Sequence, residues 1–153
     1  MTEVGIGFGG QISTFLEYLN PSEVCTYDLP QVQELAGRYL QLVMSGTDVT
    51  KVKHEDIYDI QFKETDFVVS NYAFSELPEK TQREYVEKLF KKSPAGYLMM
   101  NSGRTNFTRR SSGKLSLNEI LELLPGSSVF EELPKTGPDN YLIIWGFKGK
   151  PIG

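Results

Sequence analysis

The chain has 153 residues, 39% of them hydrophobic and 24% charged, with 16 Lys plus Arg against 20 Asp plus Glu for a formal charge of −4. This length suits one domain, and its mildly acidic balance disfavours nucleic acid or an anionic membrane as a partner, where a basic face supplies most of the affinity. A lone Cys25 and a lone His54 exclude an internal disulfide and a thiolate zinc site, and no apolar run approaches the roughly 18 residues of a membrane span. No basic stretch with an apolar core marks a signal peptide at the N-terminus, so a cytoplasmic location is expected.

In chain order, short β-like runs alternate with helix-period segments, the pattern of a mostly parallel α/β sheet. Residues 3–6 read as a strand tail running into a glycine-rich loop, and Ile12, Phe15, Leu16 and Leu19 recur on one face of a helix that Asn20-Pro21 ends. Residues 23–27 read as a second strand. Pro30 suits the first turn of the next helix, whose apolar face is Val32, Leu35, Ala36, Tyr39, Leu40 and Val43. Residues 45–65 are polar and suggest a short strand and a loop. A strand is predicted over 66–70, a helix opened by Pro78 with Tyr85, Val86, Leu89 and Phe90 as its buried stripe, and a strand over 96–100. Ser116 to Glu119 matches a capping box before Ile120, Leu121, Leu123 and Leu124. Two strands, 128–133 and 141–147, then follow with only the loop 134–140 between them, an antiparallel hairpin.

The segment Glu3-Val4-Gly5-Ile6-Gly7-Phe8-Gly9-Gly10 lies between a strand and a helix, as a cofactor loop requires. Glycines there permit a tight turn and a close backbone approach. Asp28 follows Gly9 by 19 residues, just past the second strand, where an acid accepts hydrogen bonds from both hydroxyls of an adenosine ribose. The simpler reading of these residues is a glycine turn and a helix-capping aspartate. The loop fits both a dinucleotide and S-adenosylmethionine (SAM). Glu3 favours the second, because a buried carboxylate is costly beside a pyrophosphate and welcome beside a cationic aminoacyl sulfonium. The closing hairpin points the same way, since the class I methyltransferase sheet inserts its last strand antiparallel.

This loop, Tyr27-Asp28-Leu29-Pro30, and the stretch from Asp66 to Pro78 (Asp-Phe-Val-Val-Ser-Asn-Tyr-Ala-Phe-Ser-Glu-Leu-Pro) together resemble bacterial sugar O-methyltransferases of the class I SAM-dependent type. The resemblance implies a three-layer Rossmann-like α/β fold with strand order 3-2-1-4-5-7-6 and SAM over the carboxyl ends of the first two strands. It implies that Glu3, Gly5, Gly7 and Gly9 face the methionine part, that Asp28 holds the ribose, and that residues 54–57 lie near the adenine, with Asp56 accepting from its amino group and Ile57 beside it. Ser70, Asn71 and Tyr72 are expected to line the floor where the methyl group is presented. Such enzymes usually carry upstream helices over the cofactor. Here the chain opens inside the first strand, so residues 1–153 are expected to be a single core domain lacking them, an excerpt or truncated form.

For methyl transfer to a hydroxyl, oxygen, carbon and sulfur must align and a proton must leave a weak acid. Glu76 is the candidate base, or else an acid favoured by a helix dipole; Tyr72 either orients the acceptor or packs. His54 is expected on the adenine side, away from the methyl, on an edge strand or loop. Residues 101–114 carry Arg104, Arg109, Arg110 and Lys114 without an acid, suggesting either an anion-binding loop for a carrier-linked sugar or a solvated loop. Phe107 is a candidate for stacking on a sugar ring, while Tyr97 and Trp145 are expected in the core. Asn71, Glu76 and Asn101 make a thin metal-ligand set, and no metal is expected.

Three functions compete: a SAM-dependent O-methyltransferase acting on a sugar or glycan precursor, a nicotinamide-dependent oxidoreductase, and a non-catalytic SAM-binding or interaction core. Absence of a Tyr-x-x-x-Lys pair or a substrate domain counts against the oxidoreductase. An exposed apolar face, with a homodimer formed through it, would suit the third.

Overall fold

The computed structural model describes residues 1–61, 64–102, 104 and 113–147. Among these the strands are β1 (Thr2–Val4), β2 (Val24–Asp28), β3 (Val52–Asp56), β4 (Val68–Asn71), β5 (Gly96–Met100), β6 (Ser128–Glu131) and β7 (Tyr141–Trp145). They follow one another across a seven-stranded sheet as β3-β2-β1-β4-β5-β7-β6, the order expected from the sequence. The pairs β1/β2, β2/β3 and β4/β5 are parallel, whereas β5/β7 and β6/β7 are antiparallel. The chain divides into two compact units, residues 1–61 and 62–153.

In the first unit, β1 to β3 are joined by α1 (Gly10–Tyr18) and α2 (Pro30–Val43), the latter with Pro30 in its first turn as expected. Ile6, Ile12, Leu16, Val24, Ala36, Leu40 and Met44 form the core, against which Phe15, Val32 and Tyr39 pack. The first strand ends at Val4 rather than Ile6, because Gly5 turns the chain at φ +86°. Ile6 is nonetheless buried, packing from the loop. Both helical stripes are narrower than the sequence suggests. Leu19 lies beyond the end of α1 and is exposed, as are Leu35 and Val43 on the flanks of α2. His54 sits on β3, the edge strand, where it is exposed along with Lys53 and Asp56.

In the second unit, β4 is followed by a short helix, α3 (Ala73–Glu76), that the sequence reading did not anticipate, and by α4 (Glu79–Lys88). Tyr85, Val86, Leu89 and Phe90 are completely buried, as their spacing requires. Phe90 stacks edge-on to Phe74 at 4.9 Å and lies 5.7 Å from the Trp145 ring, which confirms Trp145 as core. Helix α5 (Leu117–Leu123) opens with the expected capping box: Glu119 N donates to Ser116 Oγ at 3.3 Å, and Ser116 N donates to Glu119 Oε2 at 2.9 Å. Buried Gln82 donates to Phe74 O at 2.9 Å and accepts from Leu115 N at 2.6 Å, tying α3 and α4 to the start of α5. The hairpin strands stop early, at Glu131 and Trp145. Beyond them Leu133 is exposed, and Gly146 turns the chain at φ +79° where an added Cβ would lie 1.9 Å from Pro94 O.

Candidate functional site

The short central strand β1 delivers Glu3 to the glycine loop. Gly5 N donates to Tyr27 O at 2.7 Å, continuing the pairing between β1 and β2 past the strand end. Gly9 at φ +93° caps α1 and lets the loop close on α2; an added Cβ would already sit 3.4 Å from Ala36 Cβ and Leu40 Cγ. Around Gly7 (φ +54°) an added Cβ meets nothing within 4 Å, so that side of the loop is open to a ligand.

Asp28 closes the loop. Its Oδ2 accepts from Gly7 N at 3.1 Å and its Oδ1 from Leu29 N at 2.7 Å, which leaves each oxygen a lone pair for a further donor. Glu3 is only 2% exposed, and its Oε2 has no hydrogen-bond partner. Burial, reinforced by the Asp28 carboxylate, pushes the Glu3 carboxyl up to about 8. An unsatisfied buried carboxyl is costly, and a cationic, multiply donating group placed against it removes that cost. The loop therefore fits a ligand with an ammonium group and a vicinal diol, as the SAM expectation requires.

Register brings Asp56 opposite Asp28, and Ile57 N donates to Asp28 O at 3.1 Å, so Asp28, Asp56 and Ile57 form one cluster at the strand ends. Asp56 is exposed, with Oδ1 accepting from Tyr58 N at 2.7 Å. The His54 ring lies elsewhere. Its Nδ1 is 2.8 Å from Thr26 Oγ1, and burial lowers its pKa. Together with Gln33, Arg38, Gln41 and Thr50 it lines a cavity between α2 and β3. Among the exposed aromatics in this unit, Tyr18 ends α1, whereas Phe8 in the loop and Tyr58 just past β3 lie nearest the cluster and were missed. Their only signal was an aromatic side chain beside the glycines and beside the third strand's end.

In the second unit Ser70 is fully buried and its Oγ accepts from Phe74 N at 3.1 Å, which starts α3. Asn71, half-buried, ends β4. Tyr72 follows at φ +65°, a conformation rarely tolerated by a bulky residue. It is clamped there: its N–H donates to Met99 O at 2.9 Å and its carbonyl accepts from Ser75 Oγ at 2.5 Å. The Tyr72 hydroxyl donates to Glu132, whose carboxylate also accepts from Thr136 N at 2.7 Å and Asn140 Nδ2 at 3.0 Å. These donors, the phenol first, hold Glu132 at about 2. Sequence reasoning missed Glu132. It lies 60 residues from Tyr72 in an ordinary-looking hairpin loop, and only folding joins them.

Glu76 is exposed at the end of α3, with Asn101 Nδ2 donating to its Oε1 at 3.4 Å. Arg104 is ion-paired with Glu131, and its guanidinium lies 5.9 Å from the Tyr141 ring centroid, so part of its charge is already met. Phe107, Arg109 and Arg110 lie outside the described residues. Tyr97 is half-buried rather than core, 6.0 Å from the Phe67 ring. Among the described residues no three His, Cys, Asp or Glu side chains gather as a metal-ligand set, and no helix is long and apolar enough to cross a membrane.

The strand order and its antiparallel closing hairpin define the Rossmann-like class I methyltransferase fold. No protein-family model matches the chain, and no curated protein matches it in sequence. Solved structures do match. The methyltransferase domain of bacterial CtHen1-CN is 14% identical with TM-score 0.64, covering 95% of this chain and 89% of that one. An O-methyltransferase family protein from Burkholderia thailandensis is 17% identical with TM-score 0.65, covering 94% and 49%. PigF with SAH is 13% identical with TM-score 0.64, covering 94% and 49%. The chain thus spans about half the length of the latter two.

Proposed function

We propose that this chain is the core of a SAM-dependent O-methyltransferase acting on a sugar or glycan-precursor hydroxyl. The observation that carries the cofactor half of this reading is the buried Glu3 carboxyl, its Oε2 without a partner, beside Asp28 beneath the glycine loop. O-methyltransferases among the fold neighbours support it, and the oxidoreductase alternative finds no support among them.

Bound SAM supplies an electrophilic methyl group. The residues divide the remaining work. Glu3 holds the ammonium group, with Gly5, Gly7 and Gly9 providing the close backbone wall. Asp28 accepts from the ribose hydroxyls, and Asp56 and Ile57 flank the adenine. Ser70 and Asn71 form the floor. Tyr72 orients the acceptor hydroxyl, and Glu76 receives its proton as the oxygen–carbon bond forms and the carbon–sulfur bond breaks. Arg104, with Arg109 and Arg110, meets an anionic group on a carrier-linked acceptor. A second reading is a non-catalytic SAM-binding core that works through a partner or a homodimer.

Calorimetric titration with S-adenosylhomocysteine, with NAD as control, tests the cofactor assignment. Selective binding of the homocysteine ligand that is lost in Asp28→Ala is the expected result, and binding of NAD alone refutes it. Methyl transfer to a sugar panel then separates enzyme from binding core.

A further inference from the structure

The Tyr72–Glu132 pair does more than close a hairpin loop. A phenol has one proton and two lone pairs. The Tyr72 proton goes to Glu132 Oε1. Thr136 Oγ1 lies 3.3 Å away, but it is 2.9 Å from both Glu132 carboxylate oxygens, which compete as charged acceptors for its single hydroxyl proton. Asn140 donates to Glu132 and to Thr136 Oγ1 at 2.9 Å, and its amide also acts on the phenol. Even with that amide counted, the phenol oxygen keeps a lone pair and has no proton to give. Glu132 is 4% exposed and receives four donors, so it is a built acceptor rather than a surface charge. The residue it grips sits at positive φ with both backbone polar groups tied, the kind of strain that survives only where surrounding bonds over-determine it.

We propose that Glu132 is a positioning residue that makes the Tyr72 phenol an acceptor-only group, which accepts a hydrogen bond from the incoming hydroxyl as it docks, before that hydrogen passes to Glu76 at methyl transfer, and cannot itself act as the proton-transfer residue. This rests on the reading of Tyr72 as facing the methyl acceptor. It adds a selectivity rule: the site takes a free hydroxyl, and the methyl ether formed from that hydroxyl has no hydrogen to offer Tyr72 and is released. The hydrogen bond to Glu132, with a smaller contribution from that carboxylate's charge, also holds the phenol above its ordinary pKa, so a phenolate base at this position is disfavoured.

The test labels tyrosine Cζ with carbon-13 and identifies the Tyr72 signal by its loss in Tyr72→Phe. Tyr72 is expected to ionise above the ordinary tyrosine range in the wild type and to shift downward in Glu132→Gln. Methyl glucoside is expected to move the Tyr72 signal, and its per-O-methylated counterpart to leave it in place at matched concentration. An unchanged titration in Glu132→Gln overturns the inference, as do probes that act equally or not at all. The other seven tyrosines report whether Glu132→Gln is folded. If it is not, the probe comparison on wild type against Tyr72→Phe decides alone. A parallel S-adenosylhomocysteine titration separates the two readings: cofactor binding without Tyr72 coupling refutes this inference only, and coupling without cofactor binding refutes the cofactor assignment.

Discussion

Replacing Glu3 by Gln should remove most of this chain's loss of stability as pH rises from about 4.5 to about 8. In the folded state the Glu3 carboxyl is held up to about 8 from an ordinary 4.5, by burial first and the Asp28 carboxylate second. The unfolded chain releases this proton near 4.5, while the folded chain keeps it until about 8. Between those values the folded state binds more protons, so stability falls as pH rises, by about 1.4 kcal/mol per pH unit. Integrated over the window, the loss is roughly 5 kcal/mol, complete above the folded pKa and absent below the unfolded one. That is a large share of the roughly 5–15 kcal/mol typical of a domain. Gln cannot titrate. Its unpartnered amide carries its own cost, but that cost is constant with pH, so the slope rather than the absolute stability is diagnostic. Urea unfolding of wild type and Glu3→Gln at pH 5, 6.5 and 8 measures it. The wild-type free energy should fall steeply relative to the variant, and a saturating ligand bearing an ammonium group should flatten the wild-type curve. Parallel curves for the two proteins would refute the reasoning.

Glu132 behaves in the opposite sense. Its carboxyl is held at about 2 by the Tyr72 phenol and the hairpin-loop donors, so its contribution is present above the ordinary carboxylate range and is lost as pH falls from about 4.5 toward 2. Acid unfolding of Glu132→Gln should therefore show a shallower limb than wild type. Gly146→Ala should destabilise by about 2–4 kcal/mol, because the new Cβ meets Pro94 O and the position holds positive φ; a thermal melt with an undiminished midpoint contradicts this. Ser116→Ala should cost about 1 kcal/mol through loss of the Glu119 cap, read from chemical denaturation against Ser128→Ala as an exposed control.

Local rules carried much of this fold. A glycine loop between strand and helix, Pro30 in a first helical turn, the Ser116–Glu119 box and the continuous apolar run at 96–100 each depend on neighbours a few residues away, so they are legible along the chain. The closing hairpin, with no helix-length segment inside it, was legible in the same way, while the strand order came from the family resemblance. Element ends were less legible. Ile6 stays buried after leaving its strand, while Leu19, Leu35 and Val43 continue an apolar period into solvent, because periodicity does not say how wide a face the neighbouring layer covers.

The candidate site divides in the same way. Glu3, the glycines and Asp28 were found from spacing: a βα turn keeps Glu3 and the glycines together locally, and parallel pairing of β1 with β2 sets Asp28 beside Gly7. The sequence alone thus determined the fold class, the cofactor-type loop and its acids. Tertiary structure decided what those groups are electrically and which of them have partners. Glu3 Oε2 lacks one and its carboxyl is pushed up, Arg104 is met by Glu131, and Tyr72 donates to a glutamate 60 residues away. Burial and long-range pairing are properties of packed neighbours, and the interval between residues 72 and 132 carries no trace of them.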